Sequence, residues 1–386
     1  MKTNKSQKNI PLGWQQVILG DICKVNQGLQ IPISERFSTP ESNGKLYITT
    51  QFLNGKSEAE YICDYTDSVV CKKEDILMTR TGNSGIVVTG VEGVFHNNFF
   101  KVKPNKNVNS KLLIYNLVSP YIQYKLLKLA GASTIPDLNH GDFYSIDLLL
   151  PPITEQDRIV SVLETWDSTI EKLSKKIELK KQIKKGLMQD LLTGRKRLKG
   201  FSDKWEIILL GNICKIRTGK KDVNQGNSEG VYPFFTCAKQ HTYSDSYSFD
   251  TEAILIAGNG EVGNCQYYKG KFEAYQRTYV LNEFTKDVQY LFAYLNYFFQ
   301  NTINSQKQMG AMPYIKLGML QDYEIRIPKS REEQSAIAQI LTTADKEINR
   351  LENKLKILKE QKRYLLNNLI TGTIRTPETL SAKLTK

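Results

Sequence analysis

The chain states one pattern twice. Trp14-Gln-Gln-Val-Ile-Leu-Gly20-Asp-Ile22-Cys23-Lys24 returns as Trp205-Glu-Ile-Ile-Leu-Leu-Gly211-Asn-Ile213-Cys214-Lys215, and the stretch from Pro151 to Gly194 returns between Pro328 and Gly372. Glu155-Gln156 matches Glu333-Gln334, and Leu191-Leu192-Thr193-Gly194 matches Leu369-Ile370-Thr371-Gly372. Between the matched ends the halves diverge, and the second is shorter. A duplicated frame around unlike inserts predicts two different globules held in a fixed relation, a pseudo-two-fold internal repeat.

The frame alternates two textures. Residues 14–150 and 200–327 are rich in Tyr, Phe, Ile, Val, Asn and Gly, with short alternating runs such as Lys45-Leu-Tyr-Ile-Thr-Thr50, Gly85-Ile-Val-Val-Thr-Gly90, Tyr232-Pro-Phe-Phe-Thr and Glu252-Ala-Ile-Leu-Ile-Ala257. These predict strand-rich globules, with helices over 111–128 and 288–300. After Pro151-Pro152, Ile159, Leu163, Trp166, Ile170, Leu173 and Ile177 recur every three or four residues, the seam of a helix packed lengthwise on another. Lys180 and Lys184 interrupt that seam before Leu187 and Leu191 resume it. The helix is expected over 154–192, with Gly194 as its cap.

A second seam runs through Ile337, Leu341, Ala344, Ile348, Leu351, Leu355 and Leu358, breaks at Lys362, and resumes at Leu365 and Leu369 before Gly372. Ser330-Arg-Glu-Glu333 has the capping-box pattern at its start. Each helix needs a partner for one stripe, and each is the other's obvious partner. The fold class is therefore α+β, mixed α/β globules with two long antiparallel coiled-coil helices, in four segments: 1–150, 151–199, 200–327 and 328–386.

Composition narrows the function. Lys and Arg number 53 against 40 Asp and Glu, a net charge of +13, which favours a polyanionic partner. No run approaches the roughly 18 apolar residues of a membrane span, and Met1 to Lys8 lacks a leader's apolar stretch. A cytoplasmic protein with nucleic acid as partner, not membrane, is expected. Six cysteines, Cys23, Cys63, Cys71, Cys214, Cys237 and Cys265, include no Cys-x-x-Cys pair and are joined by only three histidines, so no metal site is expected. Cys23 and Cys214 fall at matching positions in an apolar pattern and read as small core side chains.

Catalytic signatures are missing. Val118-Ser-Pro-Tyr121 lacks the second proline and the amide or acid of an amino-methylase motif, and Gly219-Lys220 has Cys214 where a phosphate-binding loop needs its leading glycine. His96, His140 and His241 stand in unrelated contexts, against a Ser-His-Asp site.

The ordered motifs resemble the specificity subunit of type I restriction-modification systems. They are Leu-Gly-Asp/Asn-Ile-Cys-Lys near each start, Ile146-Asp-Leu-Leu-Leu-Pro-Pro-Ile-Thr-Glu-Gln156 and Ile325-Arg-Ile-Pro-Lys-Ser-Arg-Glu-Glu-Gln334 before each helix, and the closing Leu-Leu/Ile-Thr-Gly. The resemblance implies a non-catalytic DNA-binding subunit whose two target-recognition domains read a split, asymmetric site in double-stranded DNA. It implies two modification (methyltransferase) subunits docked on the helices and restriction subunits that translocate and cut. S-adenosylmethionine, ATP and Mg are then expected on those partners, with no cofactor bound by this chain. A stand-alone sequence-specific DNA-binding adaptor, with a coiled-coil scaffold and no methylase partner, would share the charge and the helices.

Base reading needs amide or guanidinium side chains on exposed turns, while phosphates take Lys, Arg, Ser, Thr and backbone N–H groups. In the first globule the candidates are Arg80, Thr81, Asn83 and Ser84, in the turn Thr79-Arg-Thr-Gly-Asn-Ser-Gly85 after Asp75-Ile-Leu-Met. In the second they are Asn259, in Ala257-Gly-Asn-Gly-Glu-Val-Gly263, with Gln276, Arg277, Arg217, Lys220 and Lys221. Both turns also admit a purely structural reading, with Arg80 and Arg277 paired internally. The lysine runs 175–176, 180–181 and 184–185 read as a solvated or partner-facing helix surface before a phosphate-contacting one.

Overall fold

The computed structural model describes residues 10–131, 136–299, 302–303 and 314–380. Met1 to Lys8, on which the expectation about a leader rests, lies outside them. Contacts divide the chain into two compact units, Met1–Lys172 with Leu355–Lys386, and Leu173–Lys354. The division falls inside both long helices, Ile153–Leu192 and Arg331–Ile370, each of 40 residues. Each unit thus owns a part of each helix.

The first unit holds β1 (Gln15–Ile18), β2 (Cys23–Gln27), β3 (Lys45–Ile48), β4 (Tyr61–Ile62), β5 (Val70–Cys71), β6 (Ile76–Thr79), β7 (Val87–Val88), β8 (Gly93–Phe95), β9 (Phe99–Pro104) and β10 (Asp147–Leu150). Strands β1 and β10 pair antiparallel, Gln15 opposite Leu150, so the insert between them starts and ends at one ribbon. Inside it stand two four-stranded sheets, β2-β9-β6-β7 and β4-β3-β8-β5. Leu19, Ile22, Ile76, Met78, Phe100, Leu126 and Phe143 form one core, and Tyr47, Ile48, Leu77, Phe95 and Phe99 another.

The second unit repeats the ribbon as β11 (Glu206–Leu209) with a later strand, after β12 (Lys215–Thr218), β13 (Tyr232–Phe235), β14 (Thr242–Ser244), β15 (Phe249–Ala257), β16 (Cys265–Ala274) and β17 (Thr278–Asn282). That partner is β18 (Glu324–Ile327), Glu206 lying opposite Ile327. Its insert is one six-stranded sheet, β12-β17-β15-β16-β13-β14. The run β12-β17-β15-β16 matches β2-β9-β6-β7 strand for strand. The repeat therefore continues into the inserts where the sequences no longer agree.

The recurring Glu-Gln pair explains itself in both units. Gln156 accepts from the backbone N of Asn109 (2.8 Å) and donates to the Pro151 carbonyl (2.9 Å). Gln334 accepts from the backbone N of Asp287 (2.9 Å) and donates to the Pro328 carbonyl (2.7 Å). Asn109 and Asp287 cap the helices Ser110–Leu117 and Val288–Tyr294, so each buried glutamine ties the start of a long helix to the start of a shorter one. The glutamates go elsewhere. Glu155, 2% exposed, takes a bidentate Arg375 (2.6 and 2.7 Å) and the indole N–H of Trp14 (2.9 Å). Glu333, 1% exposed, takes a bidentate Arg197 (2.7 and 2.8 Å), whose guanidinium also lies over Trp205.

The seams face inward. Ile159, Leu163 and Ile177 are buried and Trp166, Ile170 and Leu173 half-buried, as are Ile337, Leu341 and Ile348, and Ala344, Leu351, Leu355 and Leu358, respectively. Full burial of such a side chain contributes about 1.5–3 kcal/mol. The lysine breaks have partners: Lys362 pairs with Asp167 in the first unit, and Lys180 with Glu347, Lys181 with Glu352 and Lys184 with Asp345 in the second. From Glu155–Arg375 to Asp167–Lys362 in the first unit, and from Lys180–Glu347 to Lys184–Asp345 in the second, one number rises as the other falls, so within each unit the helix segments run antiparallel. Gly194 and Gly372, at φ +69° and +71°, take the left-handed turn that ends each helix.

Four expectations need correction. The capping box is only half made: Ser330 Oγ accepts from Glu333 N (3.3 Å), but the Glu333 carboxylate is drawn to Arg197. The helix expected over 111–128 is two, Ser110–Leu117 and Pro120–Ala130, because Pro120 cannot continue a ladder and Ser119 caps a fresh start. The one over 288–300 is α-helical to Tyr294 and π-helical over Leu295–Phe299, and Gln300 lies outside the described residues. The strand beginning at Lys45 ends at Ile48, where Thr49 caps the short helix Thr50–Leu53.

Burial pushes the Glu155 carboxyl up, but the hydrogen bonds from Arg375 and Trp14 and the charges of Arg375 and Arg158 outweigh it, holding it below the usual carboxylate range. Its folded value thus lies under the unfolded value of about 4.3. The stabilisation is complete above that pH and is lost as pH falls through the folded value. Urea midpoints measured down the acid limb should fall less steeply with pH for Glu155→Gln than for the parent chain.

Candidate nucleic-acid interface

In the first unit the expected turn leaves the end of β6 and is held from within. The Arg80 guanidinium reaches Asp137 (2.7 Å) and the Leu138 carbonyl (3.3 Å), lies over the Phe100 ring, and keeps a side chain only 15% exposed. Thr81 Oγ1 donates to the other Asp137 oxygen (2.7 Å). Ser84, buried, donates to the Arg80 carbonyl (2.7 Å). Arg80, Thr81 and Ser84 are therefore tied into the turn they belong to. The apolar surroundings of Phe100 and the carboxylate of Asp137 make this inward geometry the favourable one. Asn83 differs, being exposed.

Beside that turn lies a cleft of about 460 Å³, rimmed by Thr50, Asn54, Thr81, Asn83 and Asn98 and floored by Ile86, Val88 and Phe99. Asn98 immediately precedes β9, and its carbonyl accepts the Arg80 N–H at 2.7 Å. His96 Nδ1 accepts from Asn98 N at 3.0 Å. Burial, with nearby Arg36 adding to it, lowers the His96 pKa and keeps the ring in the neutral form that can accept. Asn97, next to it, donates to Gln30 at 2.8 Å. The sequence reading missed Asn54, Asn97 and Asn98. A signal was available in the polar triplet His96-Asn-Asn set directly before an apolar strand, as Tyr275-Gln-Arg is in the second half.

In the second unit the glycine turn leaves the end of β15, and Gly258 N donates to the Arg277 carbonyl at 2.9 Å. A Cβ on Gly258 would stand 2.6 Å from that oxygen, so glycine is needed for the approach. Cys237 Sγ also donates to the Arg277 carbonyl (3.4 Å). Arg277 is exposed, and no hydrogen bond or ion pair of its guanidinium occurs among the described residues. Gln276 donates to Asp222 (3.0 Å). Asn259 is half-buried at the turn.

The remaining candidates separate. Lys221 turns to Ser244 (2.8 Å), Ser246 (2.7 Å) and the buried Glu273 (3.6 Å). Arg217 shares Glu283 with Lys215, yet stays 54% exposed. Lys220 is exposed. The two frame cysteines are buried, their thiols donating to the carbonyls of Leu19 (3.2 Å) and Leu210 (3.4 Å), and burial pushes both up to about 12. They are core groups. Among the described residues no helix is long and apolar enough to cross a membrane.

Two segments, residues 11–181 and 202–360, match the family model described as type I restriction modification DNA specificity domain. The type I restriction enzyme EcoDI specificity subunit of Escherichia coli is 36% identical over 174 residues, 44% of this chain and 38% of that one, so the chain spans well under half of that relative in the match. The MjaVIII specificity subunit of Methanocaldococcus jannaschii is 25% identical over 95% of this chain and 94% of its own. In structure, the type I restriction-modification S subunit from M. genitalium superposes with a TM-score of 0.65 at 18% identity, covering 96% of this chain and 98% of that one, which shows a shared fold.

The two arginines differ in a measurable way. Arg80→Ala should lower the unfolding free energy by about 1–3 kcal/mol, since it leaves partly buried acceptors unpaired. Arg277→Ala should stay within about 0.5 kcal/mol of the parent. Urea unfolding followed by circular dichroism reads both.

Proposed function

Because the chain belongs to the type I restriction modification DNA specificity family, and carries its domain twice, we propose that it is the DNA sequence-specificity subunit of a type I restriction-modification complex, acting in the cytoplasm. Each unit supplies one target-recognition domain, residues 1–150 and 200–327, and the segments 151–199 and 328–386 form a coiled-coil spacer. The two readers take the two parts of an asymmetric double-stranded site. One observation carries this reading: matched strands place different polar groups at the same point, the half-buried Asn98 before β9 and the exposed Arg277 before β17. Identical readers would suit a symmetric site. Unlike ones suit a split, asymmetric site.

The chain binds and does no chemistry in this account. Two modification subunits dock on the helices and methylate with S-adenosylmethionine, and restriction subunits use ATP and Mg. The net charge of +13 supports the affinity for phosphate, which makes binding fall steeply with salt.

The unbroken course of each helix over 40 residues supports a spacer function. Inserting one heptad into each helix adds about 10 Å at 1.5 Å per residue, or about three base pairs. Duplexes selected by the full chain with its methylase subunits should then show the same two half-sites with a gap longer by about that amount. An unchanged gap would contradict the spacer, and two-part binding by the chain without any methylase would favour the adaptor reading.

A further inference from the structure

The matched strands allow the two readers to be compared position by position. Strand order makes β6 equivalent to β15 and β9 to β17. The first N–H after β6, that of Arg80, goes to the Asn98 carbonyl (2.7 Å), and the first after β15, that of Gly258, goes to the Arg277 carbonyl (2.9 Å). One strand further out, Gly28 N and Gly219 N donate to Phe99 and Thr278, both at 3.3 Å. Asn98 and Arg277 thus hold one position in two copies of one scaffold. The preceding amides match as well, Asn97 donating to Gln30 and Gln276 to Asp222.

What differs is the group offered. The first unit presents a carboxamide at the edge of a 460 Å³ cleft whose rim is otherwise hydroxyl and amide, while its arginine, Arg80, is withdrawn to Asp137. The second presents an exposed guanidinium whose backbone is fixed by Gly258 and Cys237. An amide offers one donor beside one acceptor, the complement of adenine N6 and N7, and a guanidinium offers two parallel donors, the complement of guanine O6 and N7. Resting on the specificity-subunit reading, we infer that position 98/277 is a specificity-determining residue in each reader, with Asn98 selecting an adenine in one half-site and Arg277 a guanine in the other.

Selection of duplexes from a library randomised in both half-sites, by the full chain with its methylase subunits at fixed salt, tests this. Arg277→Gln should turn a guanine preference into an adenine preference at one position of one half-site, by about ten-fold or more, and leave the other half-site unchanged. Asn98→Ala should weaken an adenine preference by a similar factor in the other half-site only. Circular dichroism melting confirms that each variant is folded. Loss of affinity that is equal for all sequences would make Arg277 a phosphate contact and overturn the inference, as would base preferences untouched by both substitutions. If the parent chain selects no two-part site, the specificity-subunit reading itself fails, and the inference with it.

Discussion

A carboxylate with nowhere to go but its arginine closes each half of this molecule. Glu155 and Glu333 sit at the first turn of the two long helices, 2% and 1% exposed, where an unpaired charge would cost several kcal/mol. Each is met by an arginine three residues past a helix-ending Thr-Gly pair, Arg375 for Glu155 and Arg197 for Glu333. Trp14 and Trp205, which open the recognition segments, pack against those guanidiniums. In the first unit the joint gathers residues 14, 155 and 375, and in the second 197, 205 and 333. The copies are not identical: Trp14 donates to its glutamate, whereas Trp205 Nε1 has no partner among the described residues.

Much of this was legible. The helix seams, the terminal glycines and the buried frame cysteines follow from spacing alone, because helix periodicity and the left-handed turn are local physics. The lysines that break the seams were visible as breaks but not as ion pairs, since Asp167, Asp345 and Glu347 are distant in sequence and only register aligns them. Glu333 misled for a related reason. Its local pattern promised a capping box, and a stronger bidentate arginine from 136 residues away took the carboxylate.

The site was harder. Arg80, inside a glycine turn, and Arg277, well past the second one, were equal candidates in sequence, yet Asp137 draws one inward and nothing among the described residues draws the other. Asn98 was overlooked because its importance lies in being the counterpart of Arg277, and that equivalence rests on backbone hydrogen bonds between strands of unlike sequence. A scaffold that keeps its frame and varies the group at one fixed position can change what it reads without refolding.

Double-mutant cycles on Glu155 with Arg375 and on Glu333 with Arg197, read by urea unfolding of the full chain, test the central claim most directly. The account predicts coupling of about 1.5–3 kcal/mol in both cycles. Additive effects, with coupling within about 0.3 kcal/mol of zero at either joint, would show that the frame is held by something else.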